Sequence, residues 1–128
     1  MSYYKIVEIV NKTETRIRNE FGVSCRLYMD ILIDKEIMDR VMEILEVWGV
    51  DENVILRQSR SAELVTMRYI IILYMRRICK MKLEKIAEYF RFKHHSSVID
   101  ALQAVDRHLE TNDALFMRYY KPVNHLLR

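Results

Sequence analysis

The residues best suited to specific chemistry lie together at His94-His95-Ser96-Ser97. Two imidazoles and two small hydroxyls supply both hydrogen-bond donors and acceptors. They follow the aromatic and cationic run Phe90-Arg91-Phe92-Lys93 and precede Val98-Ile99-Asp100-Ala101. Val98, Ala101, Leu102 and Val105 recur at helical spacing, so the stretch reads as a polar turn opening an amphipathic helix from Ser96 to about Leu109. Such a helix start can enter a DNA groove and touch base edges while its apolar face stays on its own domain. A serine hydroxyl donates or accepts, which suits either base type. It is also a good N-cap for the orphan amides of a helix start, so Ser96 and Ser97 are candidates for both roles.

Charge points the same way. The chain of 128 residues carries a formal net charge of only +3, but the charge is unevenly spread. From Arg57 to Lys93 there are ten Lys/Arg against three acids, a net +7, which leaves −4 for the two flanks. A basic centre between acidic flanks is the footprint of a polyanion-binding surface, and a solvated helix face gives the same signal.

The elements that position these residues read as helices. Two glycines and one proline in the whole chain are too few for the many turns of a β-sandwich or barrel. Tyr3 to Phe21 reads as a first amphipathic helix stopped at Gly22. Ser24 to Ile33 alternates like a strand but also fits a helix, and a helix is expected. Asp34 then suits the N-cap of a helix from Lys35 to Trp48, with Gly49 as its stop. Asp51 to Ile55 reads as a turn or helical fragment. Ser59 or Ser61 opens a long helix to about Lys80, with Leu64, Met67, Ile71, Tyr74, Met75 and Ile78 as its buried stripe. Its run Ile70-Ile71-Ile72-Leu73 implies burial on more than one side. A short helix, Leu83 to Phe90, precedes the polar turn. Asn112 or Asp113 caps a last helix that Pro122 kinks or ends.

Other chemistries find little support. Cys25 and Cys79 have no C-x-x-C spacing and read as reduced thiols of a cytoplasmic protein. The N-terminus lacks signal-peptide character, and the apolar run Tyr69 to Met75 is too short to span a bilayer. Adjacent His94 and His95 are poorly placed to chelate one metal. His108 and His125 read as surface or interhelical residues. No nucleophile–base pairing stands out. The expectation is therefore a protein that is not an enzyme and uses no metal or cofactor.

The segment from Phe90 to Ala101 resembles the signature of the C-terminal DNA-binding domain (domain IV) of the bacterial chromosomal replication initiator DnaA, roughly F-G-G-R-D-H-[ST]-T-V-x-x-A. The match runs back without gaps through Phe90, Ile86 and Leu83 to Arg68, Ser61 and Arg60, and Glu36 to Leu56 resembles the family's first helix. The resemblance implies an all-α helix-turn-helix fold of the Trp-repressor/DnaA C-terminal type over residues 36–128, with residues 1–35 as an N-terminal helical extension. It implies contacts with base edges or thymine methyls in the major groove from His95, Ser96 and Ser97, with His94 beside them, and a minor-groove contact from Arg60 in a basic loop. Arg76 falls where the family contacts phosphate; Arg77, Lys80, Lys82, Lys85 and Lys93 are further phosphate candidates. No G-x-x-x-x-G-K-[ST] occurs, so the family's ATPase module, and with it a nucleotide cofactor, is not expected.

Three departures bear on function. Arg91-Phe92 stands where the family has Gly-Gly, so a turn requiring positive φ would be strained or rebuilt. Phe92 would then either pack inward or wedge against DNA. His94 replaces an aspartate able to accept from cytosine, so the family's sequence preference is not carried over. Lys82 replaces a capping hydroxyl before Leu83. The expected function is sequence-specific binding of double-stranded DNA in replication initiation at an origin, transcription or a mobile element. The alternative is a protein–protein adaptor that kept the fold and lost base reading, and the N-terminal helices are candidates for a homodimer or partner contact.

Overall fold

A computed structural model describes residues 8–9 and 26–128, and among these every regular element is helical. The expected helix from Tyr3 to Phe21 and its stop at Gly22 lie outside the described residues, apart from Glu8 and Ile9, which are helical. The chain divides into two compact units, Met1–Val41 and Met42–Arg128. Helix α1 spans Arg26–Trp48 without interruption. This corrects the expected cap at Asp34, which lies inside the helix. Apolar positions at Leu27, Ile31, Met38, Val41 and Leu45 carry a helical period across Asp34, and that continuity overrides the local capping tendency of one aspartate.

The second unit contains the candidate site. After α1 come α2 (Glu52–Ile55), α3 (Ala62–Leu73) continuing into a π-helical turn (Tyr74–Ile78), α4 (Leu83–Tyr89), α5 (Ser96–Thr111), α6 (Ala114–Tyr120) and a final 3-10 segment (Lys121–Leu126). Helix α3 is the centre. It packs on α2, α5 and α6, which explains why Ile70, Ile71 and Ile72 are all fully buried although they point to different sides. Phe90 and Ile86 from α4, Val98 and Val105 from α5, Phe116 from α6 and Val123 complete the core. At the end of α1, the Trp48 indole N–H donates to the Tyr119 carbonyl at 2.9 Å, and the two rings meet edge to face.

Three residues without glycine's freedom terminate helices in the left-handed region. Arg91 (φ 60°) closes α4: its N–H bonds the Glu88 carbonyl, and the Phe92 N–H bonds that of Ala87. Asn112 (φ 51°) closes α5 in the same way, with the Asp113 N–H on the His108 carbonyl. Lys80 (φ 57°) closes the π-helical turn, where the Met81 N–H reaches back to Met75, one residue further than in the ordinary motif. Gly49 (φ 68°) stops α1, as its position after Trp48 leads one to expect. Asp113 caps α6 by accepting from the Phe116 N–H at 3.0 Å, and α6 ends at Tyr120, before Pro122.

The buried stripe of the long helix holds at Met67, Ile71, Tyr74 and Met75, is partial at the half-buried Leu64, and fails at Ile78, which is exposed. The π-helical turn adds one residue within a turn, so Ile78 rotates out of the stripe. Phe90 is among the most deeply buried side chains, where α4 ends. Phe90→Ala is expected to lower the unfolding free energy by about 3–5 kcal/mol, measured by urea denaturation.

Candidate nucleic-acid interface

The geometry of the interface begins with where α5 can be buried. Its buried positions are Val98, Ala101, Ala104 and Val105, so the stripe starts at the third residue of the helix. Ser96 and Ser97 precede it and are exposed, as are His94 and His95. The N-cap position is His95, and no side chain makes a capping hydrogen bond there. The capping role weighed for Ser96 and Ser97 is therefore not what their hydroxyls do. Backbone carbonyls close the helix start instead: His94 accepts from the Ser97 N–H at 3.2 Å, and His95 accepts from the N–H groups of Val98 and Ile99.

The turn before α5 keeps a left-handed residue where a glycine would serve, but the residue is Arg91. The backbone has thus kept the strained conformation, at a cost to a β-carbon-bearing residue of roughly 1–2 kcal/mol. Phe92 settles inward. Its ring stacks on Phe90 at a centroid distance of 5.6 Å and an angle of 17°. With Val65, Arg68, Tyr69, Ile72, Ser97 and Ala101 it lines a small hollow between α3 and the first turns of α5. A second hollow, also lined by Phe92, brings Glu84 and Glu88 of α4 beside Lys93, His94 and His95.

The loop carrying Arg60 is held by Arg68. This guanidinium, half-buried, donates from Nε to the Ile55 carbonyl at 2.8 Å and from Nη2 to the Arg57 carbonyl. Burial pulls its pKa below the ordinary arginine value, yet a guanidinium remains charged at neutral pH. The Gln58 amide reaches the Phe90 carbonyl at 3.4 Å, tying the same loop to the end of α4. Arg60 itself is exposed. Its loop and the polar turn are therefore joined through shared neighbours, Arg68 and Phe90.

The phosphate candidates fall into two groups. Lys80, Lys82 and Lys93 are exposed. Lys82 occupies the N-cap position of α4 in extended conformation and makes no side-chain cap, as expected from the loss of a hydroxyl there. Arg76 and Arg77 are engaged within the protein. Arg76 donates to the Met81 carbonyl at 2.8 Å and so holds the connection into α4. Arg77 forms a two-pronged pair with Asp106 of α5 at 2.6 and 2.8 Å. The sequence carries no local sign of that pair, because the partners are 29 positions apart. Arg68 as a loop anchor also escaped sequence reasoning, which had matched it to the family pattern only.

Elsewhere, His108 lies between helices, stacked on Phe116 at 5.5 Å, while His125 is exposed. Cys79 is a free thiol; Cys25 lies outside the described residues. Among the described residues no group of three or more His, Cys, Asp or Glu side chains is placed to hold a metal ion, and no helix is long and apolar enough to cross a membrane. The Tyr89 hydroxyl is buried without a hydrogen-bond partner. Burial, and then the nearby Glu52 charge, push its pKa well above the usual phenol range, so it stays neutral.

Two outcomes test this geometry. Arg91→Gly removes the left-handed penalty and is expected to raise stability by about 0.5–1 kcal/mol, net of glycine's larger chain entropy, read from urea midpoints. The hydrogen bond from Arg77 holds the Asp106 carboxyl below its usual pKa. A lowered folded-state value means the pair stabilises fully at neutral pH and fades as pH falls through that value. Asp106→Asn is therefore expected to cost about 0.2–1 kcal/mol at neutral pH, as for other exposed pairs. The gap to wild type should narrow steadily in thermal melts taken at increasing acidity.

Comparison with known proteins agrees with this architecture. A family model described as the bacterial dnaA protein helix-turn-helix matches residues 35–105, more than half of the chain. The match takes in the last turns of α1, all of α2 to α4, and α5 through Val105. No curated protein and no solved structure gives a significant match. With its all-helical described fold and its turn from Phe90 into α5, the chain belongs to the bacterial DnaA helix-turn-helix family, a family of DNA-binding domains.

Proposed function

We propose that this protein binds double-stranded DNA sequence-specifically, with α5 as the recognition helix and the loop before α3 as a minor-groove arm. One observation carries the reading. Ser97 lines the same hollow as Arg68, and Arg68 holds the backbone of the loop that bears Arg60. The start of α5 and the basic loop are thus coupled through one guanidinium, so a duplex met by one is met by the other in a fixed register. Exposed His94, His95, Ser96 and Ser97 offer donors and acceptors to base edges in the major groove. Arg60 reaches a minor groove, and Lys80, Lys82 and Lys93 meet phosphates. Arg76 and Arg77 each retain N–H groups beyond those already bonded, so they contribute charge to the same surface while bracing it. The DNA-binding part is residues 36–128, and the process served is replication control, transcription or the upkeep of a mobile element.

The experiment is selection of bound duplexes from a random pool, followed by affinity measurement over a salt series. Phosphate neutralisation requires a steep loss of affinity with salt. Arg60→Ala or Ser97→Ala should each weaken the selected site by about 1–3 kcal/mol and relax preference at one position. Lys93→Ala should weaken all duplexes alike and reduce the salt slope by about 1. Binding that is undetectable at low ionic strength, or indifferent to salt, would overturn the proposal in favour of an adaptor that engages protein.

A further inference from the structure

Four stretches of ten or more residues carry no Asp or Glu: 53–62, 64–83, 89–99 and 114–128. The first three hold the loop of Arg60, helix α3 with its π-helical turn, and the polar turn before α5, all parts of the interface described above. The fourth is not yet accounted for. It comprises α6 and the final 3-10 segment, and its exposed residues from Arg118 onward are Arg118, Lys121, Pro122, Asn124, His125 and Arg128. Among the described residues, none of the four basic side chains in this row is in an ion pair or a side-chain hydrogen bond. Other exposed helix faces mix the signs. Helix α4 presents Glu84, Lys85 and Glu88, and α5 presents Asp100, Asp106, Arg107 and Glu110.

The row is firmly mounted. Phe116, Val123 and Leu127 of the same segment are buried, α6 packs on α3 and α5, and the Trp48 indole bonds the Tyr119 carbonyl. From Arg118 to His125 the segment advances about 13 Å, at about 1.5 Å per residue in α-helix and about 2.0 Å in 3-10 helix. Duplex DNA carries a charge about every 1.7 Å of its axis, so a row of this length faces several phosphates. The chemistry of the row narrows its partner. A lipid surface needs an apolar face free to insert, and the large exposed apolar side chains among the described residues, Ile9, Val47, Ile78 and Ile99, all lie outside this segment. A protein partner is centred on aromatic or aliphatic anchors, and the row presents none. A phosphate backbone asks only for cations and N–H donors such as Arg, Lys and Asn. The row also follows the far end of α5, about 22 Å along that axis from Ser96. It is therefore carried from the opposite end of the helix to the residues that meet the first duplex.

We infer that Arg118, Lys121, His125 and Arg128 form a second contact for DNA, made to phosphates alone and without regard to sequence, by which the protein holds a second duplex beside the one it reads. This goes beyond the function proposed above, which uses the start of α5 and the Arg60 loop. It makes a single molecule a bridge between two DNA segments.

The test immobilises the highest-affinity duplex from a random-pool selection, loads it with protein, and measures capture of a labelled duplex of unrelated sequence. Wild type should capture it, with a loss of about fortyfold between about 50 and 200 mM salt, the slope for three neutralised phosphates. Replacing Arg118, Lys121 and Arg128 together by glutamine should abolish capture while leaving thermal stability and affinity for the immobilised duplex unchanged. Each single exchange, Arg118→Gln, Lys121→Gln or Arg128→Gln, should lessen the salt slope of capture by about 1. The charge-keeping set Arg118→Lys, Lys121→Arg and Arg128→Lys should capture like wild type. Capture that persists in the triple glutamine variant overturns the inference in favour of bridging by paired protein molecules. An equal loss of affinity for the immobilised duplex overturns it too, because the row would then lie on the first duplex. Wild type that binds phosphatidylglycerol vesicles but captures no duplex assigns the row to a membrane instead. Absence of capture leaves the reading of the first duplex standing, whereas failure to bind any duplex at low salt overturns both.

Discussion

The constraint on which the structure depends is the point at which α5 becomes apolar. Because Val98 is the first residue of its buried stripe, the two serines before it are held above the surface, and the whole turn from Phe90 must deliver them there. Everything around the turn serves that placement. Phe90 is sunk in the core and Phe92 stacks on it, so the chain between α4 and α5 is held at two points by aromatic packing. Arg91 supplies the reversal between those two rings. A polar helix start displayed in this way is positioned by apolar groups on both sides of it and by backbone hydrogen bonds, which leaves its side chains uncommitted.

A second theme is how the arginines are used. In the sequence, Arg68, Arg76 and Arg77 add to a basic centre. In the fold each is bonded to a neighbouring element: Arg68 to the loop before α3, Arg76 to the connection into α4, and Arg77 to α5. A guanidinium carries five donors in a fixed fork, so one side can bind carbonyls or a carboxylate while the charge still acts on its surroundings. Lysine would provide the charge without the geometry. The same residues therefore supply both positive charge and rigidity.

Much of this was legible in the sequence. The two helices about the turn, the isoleucine-rich central helix, the caps at Gly49 and Asp113, and the exposed start at Ser96 all follow from period and cap chemistry that act within a few residues. What was not legible depends on distance or on backbone strain. Asp34 lost its cap because a longer apolar period ran through it. Ile78 left the core because the helix widened, which no residue type announces. The left-handed positions at Lys80, Arg91 and Asn112 are poorly marked, since only asparagine is enriched there. The Arg77–Asp106 pair joins elements far apart in the chain, and only tertiary packing brings them together.

The π-helical turn also fixes the length of this stretch. It amounts to a single extra residue absorbed without breaking the helix, leaving its end at Ile78 out of phase with the first half by roughly 100°. Removing one residue from Tyr74–Ile78 would restore an ordinary ladder and at the same time swing Arg76 and Arg77 away from Met81 and Asp106. Length in this stretch consequently matters alongside residue identity: a one-residue deletion would disturb both arginine contacts at once, whereas exchanging one arginine would disturb only its own.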